Sequence, residues 1–293
     1  MSDKPSSSWR RQVTRLVQRF GLGQVDPTSL KQTASQLALP PVTLHTHTDS
    51  IVWQDGLPLH QLPHLPRNAL CGPVQEDKEC AFNALTRLID CDTESLAALD
   101  LREIDGISIV LDLPETATSM EQAAAAPCHR HVRLISFKDF QGALVKAVPE
   151  PRSAHPIELV SASWRGPRLF WRGQSHAAEL IGAVVYARRR ELVYMVPANI
   201  TRYSLNQQAV DALRNSHDVL AIARDSWSDS RFTTLLVEYQ VPYSRLPLPT
   251  ALGNLDLLLL PRDSEVAQAL ATGLRRAGAV DVMSYLSDLN AQN

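Results

Sequence analysis

Beyond position 156 the apolar residues fall into short runs whose period switches between two and three to four, which predicts interleaved strands and helices. Strands are expected at 157–164, 169–172, 192–196, 219–223, 235–239 and 255–260. Helices are expected at 175–190, 206–214 and 264–277, with a last helix over 280–289 on the outside. Leu180, Ile181, Val184 and Val185 form the apolar stripe of the first of these helices. The alternation predicts an α/β or α+β fold: a mixed sheet covered by helices in the C-terminal half, with at least four strands of 157–260 in one sheet.

The N-terminal half is less regular. Trp9, Val13, Leu16, Val17 and Phe20 share one face of a short amphipathic N-terminal helix, with Arg10, Arg11, Arg15 and Arg19 on the remainder. This face is expected to dock on the body of the protein, and an anionic membrane surface or a partner is the other destination. Pro40 and Pro41 close that segment. Residues 42–53 read as an extended edge strand, four prolines make 56–73 irregular, 77–89 reads as a helix, and a second helix begins near Thr93. A turn is expected at Asp105 and Gly106, and strands at 107–111 and 132–137. Pro149, Pro151 and Pro156 then set the division: 1–40, 41–150 and 151–293, with the last two also readable as one continuous unit.

Composition narrows the function class. The longest aliphatic run, Leu257 to Leu260, is far short of a transmembrane helix, and the Ser-rich, then basic, beginning lacks the apolar core of an export signal. Four cysteines without C-x-x-C spacing suit reduced thiols, so a cytoplasmic location is expected. The formal net charge of −2 makes nucleic acid an unlikely partner. It also conceals blocks. Residues 76–121 hold 12 acids and three bases, whereas 165–190 hold six arginines and one acid. Such blocks are expected to attract one another within the fold or across a dimer, and a polyanion-binding surface is the sharper reading.

Candidate chemistry falls in three places. His45, His47 and Asp49 alternate along the predicted edge strand, about 7 Å apart per pair on one face, a spacing from which side chains converge on one divalent metal. His60, His64, Cys128, His129 and His131 are the ligands that could complete the set. This His-x-His-x-Asp run resembles the opening motif of metal-dependent hydrolases of the amidohydrolase kind, which implies a metal-dependent hydrolase. The later motifs and the eightfold strand–helix rhythm of that barrel are absent. No other cofactor is called for.

Gly173-Gln174-Ser175-His176-Ala177, between a strand and a helix, has the layout of a nucleophile elbow. The only later histidine, His217, comes too early in the remaining alternation to be the triad base, and Ser175 as a helix N-cap is the simpler reading. Asp225, Asp229 and Glu238 would form a carboxylate cluster only if the fold gathers them.

Trp164, Arg165, Arg168, Phe170, Trp171 and Arg172 interleave bases with aromatics, as a surface that stacks on nucleic-acid bases does, whereas a twisted hairpin with core aromatics and solvated arginines is the plainer account. The string Phe170-Trp171-Arg172-Gly173-Gln174-Ser175 resembles the Phe-Arg-Gly-Gln signature of a domain related to ADP-ribosyltransferases, with Trp171 where that motif has phenylalanine and without its downstream segments. No catalytic role is carried over. Arg168, Arg172, Gly173, Gln174 and Ser175 are nevertheless expected to form an anion site, because a helix starting nearby presents unpaired N–H groups and a partial positive charge.

No catalytic constellation is complete. The expected function is therefore an interaction or regulatory protein that associates with another protein or with itself. A metal-dependent hydrolase using His45, His47 and Asp49 is the alternative. The lesser alternative is a phosphate- or nucleotide-binding protein using the Arg172–Ser175 turn.

Overall fold

The computed structural model describes residues 26–44, 49–53, 56–108, 117–129, 131–148, 156–173, 175–250 and 253–291. The predicted helix over 9–20, His45, His47 and Gln174 lie outside them.

Two sheets carry the fold, and the class is mixed α and β as expected. The first has the order β1 (Ile89–Asp100), β5 (Met195–Leu205), β3 (Ile157–Ala162), β4 (Leu169–Trp171), β2 (Ile104–Ile107). It is mixed: β5–β3 and β4–β2 are parallel, β1–β5 and β3–β4 antiparallel. The second is antiparallel, in the order β7 (Ser244–Thr250), β8 (Gly253–Pro261), β6 (His217–Ala223), β9 (Val280–Asp281). Residues 157–260 thus give three strands to each sheet, which corrects the expectation of four in one. The first sheet also draws strands from both sides of the proline cluster near position 150.

Alternation along the strands sorts the apolar side chains into layers. Leu159, Trp171, Ala198 and Ile200 face an outer layer of helices α3 (Met120–Ala125), α4 (Phe137–Ala147) and α5 (Ala177–Arg189). Val160, Phe170 and Tyr203 face the other way, toward Val219, Ala221, Leu246 and Leu257 of the second sheet. Between the sheets, α2 (Gln75–Leu85), α6 (Gln207–Ser216) and α9 (Val282–Ala291) contribute Leu85, Leu213 and Leu286. The outer face of the second sheet is covered by α1 (Pro27–Ala34), α7 (Ser230–Glu238) and α8 (Glu265–Arg276). The α5 stripe of Leu180, Ile181, Val184 and Val185 is buried as predicted. Helix α9 is a core element and not an outer one.

Local signals explain several departures from the sequence reading. Residues 93–100 are strand, because the ladder from Ile89 to Leu96 against β5 overrides the helix preference of Glu94, Leu96 and Ala97. The segment at 235–239 belongs to α7, whose Asp229 cap accepts from the Arg231 N–H and whose Phe232, Leu235 and Leu236 recur at helical spacing. Residues 132–135 are not a strand. They lead into α4, where Ser136 and Asp139 form a capping box. Asp105 and Gly106 lie inside β2 rather than in a turn.

Candidate functional site

Strand β4 is three residues long and sets the geometry of two distinct places. Phe170 faces the inter-sheet core, Trp171 faces the helices, and Arg172 returns to the side of Phe170 just past the strand end. Arg168 lies at the opposite end, so the two arginines are separated by roughly 13 Å of extended chain. The five residues expected to form one anion site are therefore divided between the two ends of β4.

At the Arg168 end the arginines are structural. Arg165 is only 2% exposed; its Nη2 donates to the carbonyl oxygens of Ser50 and Val52 at 2.7 and 3.0 Å. Arg168 Nη1 donates to the Ser50 oxygen at 2.9 Å. Both guanidiniums lie over the Phe170 ring, at 5.0 and 5.4 Å from its centroid. Trp164, Phe170 and Trp171 are buried, which removes a base-stacking surface, and the burial of Arg165 corrects the expectation of solvated arginines. The complementary charge blocks meet here: Arg188 pairs with Asp105 at 3.1 Å and Glu121 at 3.4 Å. Asp49, Asp105, Arg168, Arg188, Thr118 and Ser119 line a cleft of about 430 Å³.

At the Arg172 end this face runs out of the inter-sheet core: Arg172, Cys91 and Glu158 are exposed, while Tyr203 and Trp53 stay buried. Cys91 stands opposite Tyr203 in the β1–β5 ladder. His60, from the 3₁₀ helix Leu59–His64, packs edge-on between Trp53 and Tyr203, at 5.4 and 5.9 Å between ring centroids. Burial, then the charge of Arg172, then His64 lower the His60 pKa to about 4, so its imidazole is neutral near pH 7. Burial and then Cys91 raise Tyr203, while Arg172 opposes the shift. Further along this face Ser95 donates to Asn199, which donates to Glu158, at 2.8 and 2.9 Å. Arg172 itself is exposed, and among the described residues no carboxylate lies within ion-pair distance of its guanidinium.

The turn after Arg172 differs from expectation. A Cβ on Gly173 would fall 1.7–2.2 Å from Trp171 indole atoms, so the glycine makes room for that ring and not for a ligand. Helix α5 starts at Ala177; its N-cap is His176, at φ 60°, with no side-chain cap hydrogen bond. Ser175 is therefore not the cap, and His217, buried at the start of β6 and bonded to Ser216, makes no triad with it. Asp49 lines the cleft at the Arg168 end, with His45 and His47 outside the described residues. Among the described residues no three His, Cys, Asp or Glu side chains gather as a metal site, which holds for His60, His64, Cys128, His129, His131 and the carboxylates 225, 229 and 238 alike. Sequence reasoning did not connect His60, Cys91 and Tyr203, since the β1–β5 register pairs Cys91 with Tyr203 and the 3₁₀ helix sets His60 against Tyr203.

No helix among the described residues is long and apolar enough to cross a membrane. Residues 94–293 match the model of a family described as of unknown function (DUF6685), while no curated protein and no solved structure matches the chain. The matched stretch includes Arg172 and Tyr203, and it begins after His60 and Cys91.

Proposed function

The chain belongs to this family of unknown function, and from its own geometry we propose that it binds a small phosphate-bearing ligand at the Arg172 end of the first sheet. One observation carries the reading: the exposed Arg172 guanidinium, whose charge acts on His60 and Tyr203, has no carboxylate within ion-pair distance among the described residues. A guanidinium offers five N–H donors in a planar fork that matches a phosphate. The resemblance of Phe170–Ser175 to the ADP-ribosyltransferase-related signature makes nucleotides the first class to test.

Calorimetric titration of the protein with nucleotides and inorganic phosphate tests this. Arg172→Gln is expected to weaken binding by about tenfold or more, the worth of one charge-assisted pair, without lowering the melting temperature. Binding that is unaffected by the substitution refutes the proposal.

Association with another protein or a second copy is the second reading. Exposed Ile135, Phe137, Val193 and Met195 favour it, because Phe137 stacks on Phe140, which meets Tyr194 between Val193 and Met195. Light scattering of the wild type and of Phe137→Ser separates this reading from a monomer that binds ligand alone.

A further inference from the structure

The outer face of the second sheet holds a charge imbalance. Asp256, in the middle of β8, is 0% exposed, and its carboxylate is shared by two arginines. Arg224, just after β6, donates through Nε to Oδ1 at 3.2 Å, and Arg245, on β7, donates through Nε to Oδ2 at 2.5 Å. Two guanidiniums against one carboxylate leave one net positive charge.

Another shared carboxylate in the protein sits in a balanced network. Asp218 is likewise shared, by Arg262 and Arg275, but Arg275 also pairs with Asp281 at 2.8 Å, giving two charges of each sign. Arg188, with Asp105 and Glu121, carries the opposite excess, one negative charge. Around Asp256 no second carboxylate lies within ion-pair distance of either guanidinium among the described residues, and only one N–H of each is engaged. Both side chains reach solvent, at 35% and 25% exposure. Desolvating a pair this unequal is costly unless a further anion completes it.

The surroundings add donors. The Arg245 guanidinium lies 4.3 Å from the Trp227 ring centroid, and Trp227 also packs against Tyr243 and Phe232, which fixes the fork in place. The buried indole Nε1–H of Trp227 meets no acceptor among the described residues, and neither does the hydroxyl of its neighbour Ser226, a residue 2% exposed.

We infer that Arg224 and Arg245, splayed by Asp256 and backed by Trp227, form an oxyanion site for a small carboxylate, separate from the Arg172 face. The charge count selects the ligand. A carboxylate neutralises the single excess charge, whereas a phosphate monoester, near −2, would leave an unpaired negative charge beside buried Asp256.

The test follows the indole N–H resonance of Trp227 in the full-length protein, assigned with Trp227→Phe, during titration with acetate, inorganic phosphate and chloride at matched ionic strength. The expected result is a saturable shift with acetate that exceeds any shift with phosphate or chloride, that is lost in Arg224→Gln and that persists in Arg172→Gln. Arg224→Lys keeps the charge without the fork and is expected to weaken the shift, so the inference stays testable if the glutamine variant folds poorly. A resonance that moves no more with acetate than with chloride, or that moves equally in both Arg224 variants and the wild type, overturns the site. Saturation by phosphate before acetate overturns its assignment to carboxylates.

Discussion

Arg165 and Ser50, 115 residues apart in the chain, are joined by a hydrogen bond of 2.7 Å from a guanidinium that is itself 2% exposed. This bond, together with the one to the Val52 oxygen, ties the 49–53 segment to the turn between β3 and β4. Arg165→Met keeps much of the volume but takes the side-chain donor from the Val52 oxygen and one of two donors from the Ser50 oxygen, which keeps Arg168, and it removes a buried guanidinium from the Phe170 ring. It is expected to cost about 2–4 kcal/mol of stability, measured by urea denaturation. A loss below about 1 kcal/mol, the range of surface substitutions, would mean that solvent reaches these carbonyls.

Gly173 makes a related prediction. Because a Cβ there would overlap Trp171, Gly173→Ala is expected to destabilise the protein by about 1–3 kcal/mol through overpacking, with no ligand present. An unchanged melting temperature with lost phosphate binding would instead assign the glycine to ligand approach.

At α4, the Ser136 hydroxyl accepts from the Asp139 N–H at 3.2 Å, and the Asp139 carboxylate accepts from the Ser136 N–H at 2.8 Å. Ser136→Ala removes the N-cap and is expected to cost about 1 kcal/mol. Calorimetric melting checks this, and no change would mean that the packing of Phe140 and Leu144 alone sets the helix start.

The C-terminal half was legible because its signals were local. The α5 stripe, the apolar run of β8 and the Ser264 cap of α8 each sit within one element. The errors arose where partners distant in sequence decide. Nothing between Thr93 and Asp100 announces a strand until β5 is alongside, and the division of six strands between two sheets is a pairing choice invisible to periodicity. The Ser136–Asp139 box, in contrast, is a local S-x-x-D signal in the sequence, and the strand reading of 132–137 passed over it. For the site, the positively charged turn at Arg172 could be picked out from composition. The departure of Arg168 to the other end of β4, and the arrival of His60 and Tyr203, depend on strand direction and register.

His60 gives the prediction with a defined pH window. Its pKa is lowered from 6.5 to about 4 in the fold, chiefly by burial and then by Arg172. Above pH 6.5 neither the folded nor the unfolded state binds the proton, and the contribution to stability is whole. As pH falls from 6.5 to 4 the unfolded state takes up a proton that the folded state refuses, so stability declines, by about 3 kcal/mol at most, and levels off below 4. A bound phosphate beside Arg172 would offset that guanidinium's charge and raise the His60 pKa, so ligand binding should take up a fraction of a proton between pH 4 and 6.5. Following the imidazole resonance of His60 by NMR, with and without phosphate, reads both effects. A midpoint near 6.5 in the free protein would show that His60 is solvated, and a midpoint near 4 that phosphate leaves unmoved would separate this histidine from the proposed ligand site.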